Sequence, residues 1–185
     1  MLFTRNTNIK TLTLIRIPVD ESLLKLSNSV ESISVEECEL FEGYSHSFSK
    51  MINKLTNISK IYLDEDFDMV NIMKAITLSS NNITEFEVDG SCTSENVERE
   101  LKDLIIKNNN IKYLSLYSLE FDGECLKHLN RDTIKYLNLS FSTFNYDILG
   151  CFTEFTKLRK LILQDISWNG IDELKTKCTN LEVVL

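Results

Sequence analysis

Ile111-Lys112-Tyr113-Leu114-Ser115-Leu116-Tyr117-Ser118 and, 23 residues later, Ile134-Lys135-Tyr136-Leu137-Asn138-Leu139-Ser140-Phe141 carry one pattern. An apolar residue is followed by two variable positions, a second apolar residue, one variable position and a third apolar residue. Working outward, the same pattern stands upstream as Ile9-Leu12-Leu14, Val30-Ile33-Val35, Ile58-Ile61-Leu63 and Ile83-Phe86-Val88, and downstream as Leu158-Leu161-Leu163. An eighth copy opens at Leu181 and Val184. Successive starts lie 21, 28, 25, 28, 23, 24 and 23 residues apart, so one unit repeats through residues 1–185 as a single domain.

Each copy begins with period-two alternation, the mark of a strand buried on one face, and then changes to helical spacing. Phe48, Met51, Ile52 and Leu55 follow i, i+3, i+4, i+7 after Ser45, an expected N-cap. Val97, Leu101, Leu104 and Ile105 follow Ser94 in a similar way. A strand of five residues and a helix of three turns cannot each bury an apolar face alone, so neighbouring copies must stack, strand on strand and helix on helix. The expected fold is therefore α/β: a curved, horseshoe-like solenoid with a parallel sheet of about seven or eight short strands on its concave side and helices on its convex side.

These copies resemble the leucine-rich repeat superfamily, and their length is similar to its ribonuclease-inhibitor-like and cysteine-containing subclasses. Phe121-Asp122-Gly123-Glu124-Cys125-Leu126-Lys127-His128-Leu129 is similar to the cysteine-containing helix opening, and Lys177-Cys178-Thr179-Asn180-Leu181 to the junction between copies. The resemblance implies a horseshoe fold and a role in protein binding. It also implies, as an alternative, a substrate-recognition subunit of a ubiquitin ligase of the F-box type, although no F-box is seen before Ile9. The family places Asn or Cys two residues past each strand, where the side chain bonds loop backbone. That position reads Ile17, Cys38, Asp66, Ser91, Leu119, Ser142 and Ile166 here, and an aliphatic side chain cannot make such a bond.

Composition narrows the function. Lys and Arg number 20 against 28 Asp and Glu, a net charge of −8 that repels phosphate backbones and anionic lipid, so neither nucleic acid nor membrane is expected as a partner. No apolar run approaches the roughly 18 residues of a membrane span, and the polar start is unlike a signal peptide, which points to the cytosol or nucleus. The five cysteines, Cys38, Cys92, Cys125, Cys151 and Cys178, lie too far apart for a CxxC clamp and are expected to be reduced, mostly buried thiols. His46 and His128 have no Cys or carboxylate at ligand spacing, and glycine-rich phosphate loops are absent. No enzymatic activity, cofactor or metal is expected. The one cation arrangement worth weighing, calcium on the column Glu36, Asp64 and Asp89, lacks a wrapping backbone loop. Trp168, in the loop after the last complete strand, is expected to pack rather than bind.

The informative surface is the side of the sheet turned away from the helices. In the second to fourth copies its expected residues are Ser32, Ser34, Glu36, Glu37; Lys60, Tyr62, Asp64, Glu65; and Glu85, Glu87, Asp89, Gly90, of which seven of 12 are acidic. Beside them the fifth and sixth copies set Tyr113, Tyr117, Tyr136 and Phe141 on the same face. Rings that anchor next to charges of one sign that steer are a pattern of protein-binding patches. The expected function is a non-enzymatic interaction module holding a basic, partly apolar protein surface through Glu36, Glu37, Tyr62, Asp64, Glu65, Glu85, Glu87, Asp89, Tyr113, Tyr117, Tyr136 and Phe141. The first and last strands are also expected to be open edges, suited to end-to-end self-association or to further repeats.

Overall fold

The computed structural model describes residues 8–16, 28–36, 44–64, 69–90 and 95–185. They form one open, eight-stranded parallel sheet in sequence order: β1 (Thr11–Ile15), β2 (Ser32–Glu36), β3 (Lys60–Leu63), β4 (Glu85–Asp89), β5 (Tyr113–Tyr117), β6 (Tyr136–Asn138), β7 (Lys160–Ile162) and β8 (Glu182–Val184). Each strand pairs only with the copies before and after it, a solenoid-like arrangement. The alternation expected from sequence is the one seen: Ile33 and Val35, Ile61 and Leu63, Phe86 and Val88, and Leu114 and Leu116 are buried, while the residues between them, apart from Ser115, are not.

Four α-helices and two 3₁₀ segments cover the buried face among the described residues: α1 (Tyr44–Lys54), α2 (Met69–Leu78), α3 (Glu95–Lys107), the 3₁₀ segments Glu124–His128 and Tyr146–Glu154, and α4 (Ile171–Lys177). Phe48, Met51, Ile52 and Leu55 of the second copy's helical run, and Val97, Leu101, Leu104 and Ile105 of α3, are buried in one continuous core with the strand residues. Ser45 lies inside α1 rather than capping it, and Ser94 falls outside the described residues. The copies of 25 to 28 residues hold α-helices of 10 to 13; the fifth and sixth, at 23 and 24, return through 3₁₀ segments, and the seventh, also 23, through the short α4. A 3₁₀ turn rises about 2.0 Å per residue against 1.5 Å in an α-helix, which suits a short return. The expected helix at 121–129 is a 3₁₀ turn.

Two further corrections concern register and capping. In the eighth copy Val183, and not Val184, stands opposite Leu161 and packs on the core. The expected Asn or Cys position past the strands is partly apolar: Leu119 and Ile166 are simply buried there, and Ser142 alone among the described residues bonds as a ladder residue, accepting from Leu119 N at 3.0 Å and donating to Leu116 O at 2.7 Å. Ile17, Cys38, Asp66 and Ser91 lie outside the described residues.

The asparagine ladder runs instead before the strands. Buried Asn81 accepts from Ile58 N at 2.9 Å and donates to Ile52 O at 3.0 Å; buried Asn108 accepts from Ile83 N at 2.8 Å and donates to Leu104 O at 2.9 Å. Asn57 and Asn130 donate to the preceding copy at Asn28 O (2.6 Å) and Asn109 O (3.0 Å). The Asn81 and Asn108 bonds satisfy backbone groups that the helix-to-strand bend would otherwise leave buried without a partner, whereas those of Asn57 and Asn130 are exposed.

Candidate functional site

Parallel register lines the open-face side chains into rows that cross the sheet, with neighbours about 4.8 Å apart. The first row runs Thr11, Ser32, Lys60, Glu85, Tyr113, Tyr136, Lys160, Glu182. Its charges are matched internally: Lys60 Nζ is 2.8 Å from Glu85 and Lys160 Nζ 2.9 Å from Glu182. Between those pairs the Tyr113 and Tyr136 rings stack, 4.1 Å between centroids and 8° from parallel.

The second row sets Ser34, Tyr62, Glu87, Ser115 and Asn138 side by side. Tyr62 and Glu87 are half-buried, and the Tyr113 hydroxyl is hydrogen-bonded to the Glu87 carboxylate. Ser115 and Ser140 are fully buried. Ser115 lies between Tyr113 and Tyr117 on its strand, and its short side chain cannot reach past those rings. A closed network satisfies both serines: Asn138 Nδ2 donates to Ser115 Oγ at 3.1 Å, Ser140 Oγ donates to Asn138 Oδ1 at 2.7 Å, and Gln164 N donates to Ser140 Oγ at 3.2 Å.

The third row carries Glu36, Asp64 and Asp89, then Tyr117. Asp64, one residue past β3, keeps the register through its N–H to Val35 O at 3.1 Å, and Asp89 stands opposite Tyr117. The Phe141 ring lies 5.1 Å from that of Tyr117 and remains 46% exposed. Phe141 achieves this in the left-handed backbone region, φ 59°, the same strand-exit conformation as Ser118 and Asp165. For a bulky L-residue that conformation costs about 1–2 kcal/mol, and its recurrence at Arg16, Ser118, Phe141 and Asp165 makes it a feature of the strand exit in these copies.

Tyr62 is where the rows meet electrostatically. Its hydroxyl is pushed up to about 12, by burial first and then by the carboxylates of Asp64, Asp89, Glu87 and Glu36 around it. Tyr113 is raised further, by burial and by its bonds to Tyr136 and Glu87. Glu87 is itself raised, chiefly by burial and then by Asp89, with the Tyr113 hydrogen bond opposing them. For Tyr62 the folded value exceeds the unfolded one near 10, so its contribution to stability is intact below pH 10 and is lost as pH rises through about 12. An alkaline titration followed by phenolate absorbance should therefore lose a step near pH 12, and not one near pH 10, when Tyr62→Phe replaces the wild type. A lost step near 10 would place Tyr62 in open solvent.

Of the twelve residues expected at the site, ten lie on this face, and Glu37 and Glu65 lie outside the described residues. Glu36, Tyr62, Asp64, Glu87 and Asp89 converge, Tyr113 with Tyr136 and Tyr117 with Phe141 form two aromatic pairs, and Glu85 is engaged by Lys60. A depression of about 180 Å³ opens among Ser32, Ser34, Lys60, Tyr62, Glu85, Glu87 and Tyr113. Lys60 and Ser34, expected on this face but not among the binding residues, take part in it through cross-strand and same-strand contacts: Lys60 pairs with Glu85, and Ser34 donates to Glu36 at 2.7 Å. Among the described residues no three His, Cys, Asp or Glu side chains are grouped to hold a metal ion.

Elsewhere, Cys125 is buried and its thiol is raised by burial and by Glu98; Cys151 is raised to about 11, chiefly by burial. Both are free thiols, as is half-buried Cys178, while Cys38 and Cys92 lie outside the described residues. His128 is exposed. Trp168 is half-buried against the core, its ring lying over Gly170. No helix among the described residues is long and apolar enough to cross a membrane. No protein-family model matches the sequence, and no curated protein matches it.

Proposed function

We propose that this chain is a leucine-rich repeat solenoid acting as a non-enzymatic interaction module, which binds a basic, partly apolar segment of a partner protein on the open face of its sheet. The observation that carries the reading is Tyr62 under the influence of four carboxylates, with two aromatic pairs on the same open face of the sheet. Repeats of 21 to 28 residues, each adding one in-register strand, support the repeat class. The acids supply steering and the rings supply contact area at low entropic cost. Cys125 and Cys151, held protonated, are unsuited to nucleophilic work.

Octa-arginine and octa-lysine serve as probes. Reversing the third row (Glu36→Lys, Asp64→Lys, Asp89→Lys) should weaken their binding by about tenfold or more at low salt. A variant with the same net charge, Asp103→Lys, Asp147→Lys, Asp172→Lys, alters three exposed acids elsewhere in the chain and should lose much less. Equal losses would show that total charge, and not this face, attracts the peptide.

A further inference from the structure

Two open-face acids border the depression, Glu85 and the half-buried Glu87, and of these Glu87 is the one with which no lysine or arginine pairs among the described residues. The nearest cation in the rows, Lys60, is engaged by Glu85 at 2.8 Å. A carboxylate offers about four lone-pair positions, and the Tyr113 hydroxyl occupies one of them. Tyr62, its register neighbour, presents a ring on one side, and Tyr113, backed by the stacked Tyr136, presents another. At about 180 Å³ the space is well below that of sites for drug-sized molecules. It has room for the end of one side chain.

We propose that this depression is a subsite for a single arginine side chain of the bound segment, with the guanidinium lying against the Tyr62 and Tyr113 rings and donating to Glu87. A guanidinium is planar, weakly hydrated and forked, so it can stack on a phenol ring while bonding a carboxylate; an ammonium is compact and strongly hydrated and does neither as well. The half-buried position favours the group that loses less on leaving water. The inference rests on the docking reading and adds to it a preference that total charge cannot produce.

The test compares octa-arginine with octa-lysine by titration calorimetry, with backbone amide NMR shifts to locate each peptide. Wild type should bind octa-arginine about tenfold more tightly, with the largest shifts at Ser34, Tyr62, Glu87 and Tyr113. Glu87→Gln keeps an acceptor for Tyr113 and should bring the two affinities close together, while Tyr62→Leu should do so by removing one ring. Both variants should retain the wild-type amide spectrum away from β3 to β5. Equal affinity of wild type for the two peptides, with shifts still on the open face, would overturn the arginine subsite and leave the docking reading standing. Shifts scattered off the open face, or no binding by either peptide, would overturn both.

Discussion

Asn81→Ala is expected to lower the free energy of unfolding by about 2–4 kcal/mol, because two buried backbone groups lose their partners at once and each such group costs about 1–3 kcal/mol. Asn81 is 2% exposed; its amide holds Ile58 N–H at 2.9 Å and Ile52 C=O at 3.0 Å. Ile58 and Ile52 are themselves buried, so water cannot replace the lost bonds. Alanine also leaves a small void, but the polar loss decides the outcome. Asn81→Asp should fare no better, since it keeps the acceptor for Ile58 and turns a negative charge toward the Ile52 carbonyl. The control is next door: Asn82 is exposed, and Asn82→Ala should stay within about 0.5 kcal/mol of wild type. Urea denaturation of the three variants would decide, and coincident curves for Asn81→Ala and Asn82→Ala would show that the ladder carries no stability.

That ladder marks the boundary of what the sequence makes legible. Strand positions and inward residues are readable because both obey short periods, and a one-residue slip would have turned Ile33, Phe86 and Leu114 toward solvent. The eighth copy shows the limit of the same signal: Leu181 and Val184 fit the pattern, yet the sheet register pairs Val183 with Leu161. Asparagines before a strand look like ordinary loop residues, and nothing in Ser79-Ser80-Asn81-Asn82 distinguishes the buried one from the exposed one. What separates them is a bond to a residue 23 positions earlier, visible only once copies are stacked. The same holds for the site. The composition of the open face is readable from one strand at a time, but the Tyr113 and Tyr136 stack, the Lys60 and Glu85 pair and the Asn138 bond to Ser115 all arise between strands.

The rows also distinguish two uses of charge on one surface. In the first row each lysine sits opposite a glutamate, an arrangement worth little energy at this exposure but neutral in sum. In the third row three acids stand in neighbouring strands, where like charges repel and destabilise a sheet. A solubility role would be met equally well by scattering those acids over the helices. Their concentration beside Tyr117 and Phe141 sets charge of one sign next to exposed aromatic surface.

Gly123→Ala is expected to cost about 2–4 kcal/mol, from two sources that add. The backbone at Gly123 has φ +84°, a region that charges an L-residue about 1–2 kcal/mol. A Cβ there would also stand 3.1 Å from Ile148 Cδ1 and 3.1 Å from Phe144 Cδ2, crowding two buried side chains of the next copy, and overpacking of this kind costs about 1–3 kcal/mol. The neighbourhood cannot relax cheaply, because the Gly123 N–H is held by Glu98 Oε2 at 3.0 Å and the same carboxylate accepts from Cys125 N, capping the 3₁₀ turn from the preceding helix. Gly150 supplies the comparison within the same molecule. Nothing lies within 4 Å of a Cβ built there and it is exposed, so Gly150→Ala should be neutral or stabilising by about 0.4–1 kcal/mol through a less flexible unfolded chain. If thermal and urea unfolding rank the two alanine variants in the opposite order, the close contact between the Gly123 turn and the next repeat is not part of the fold.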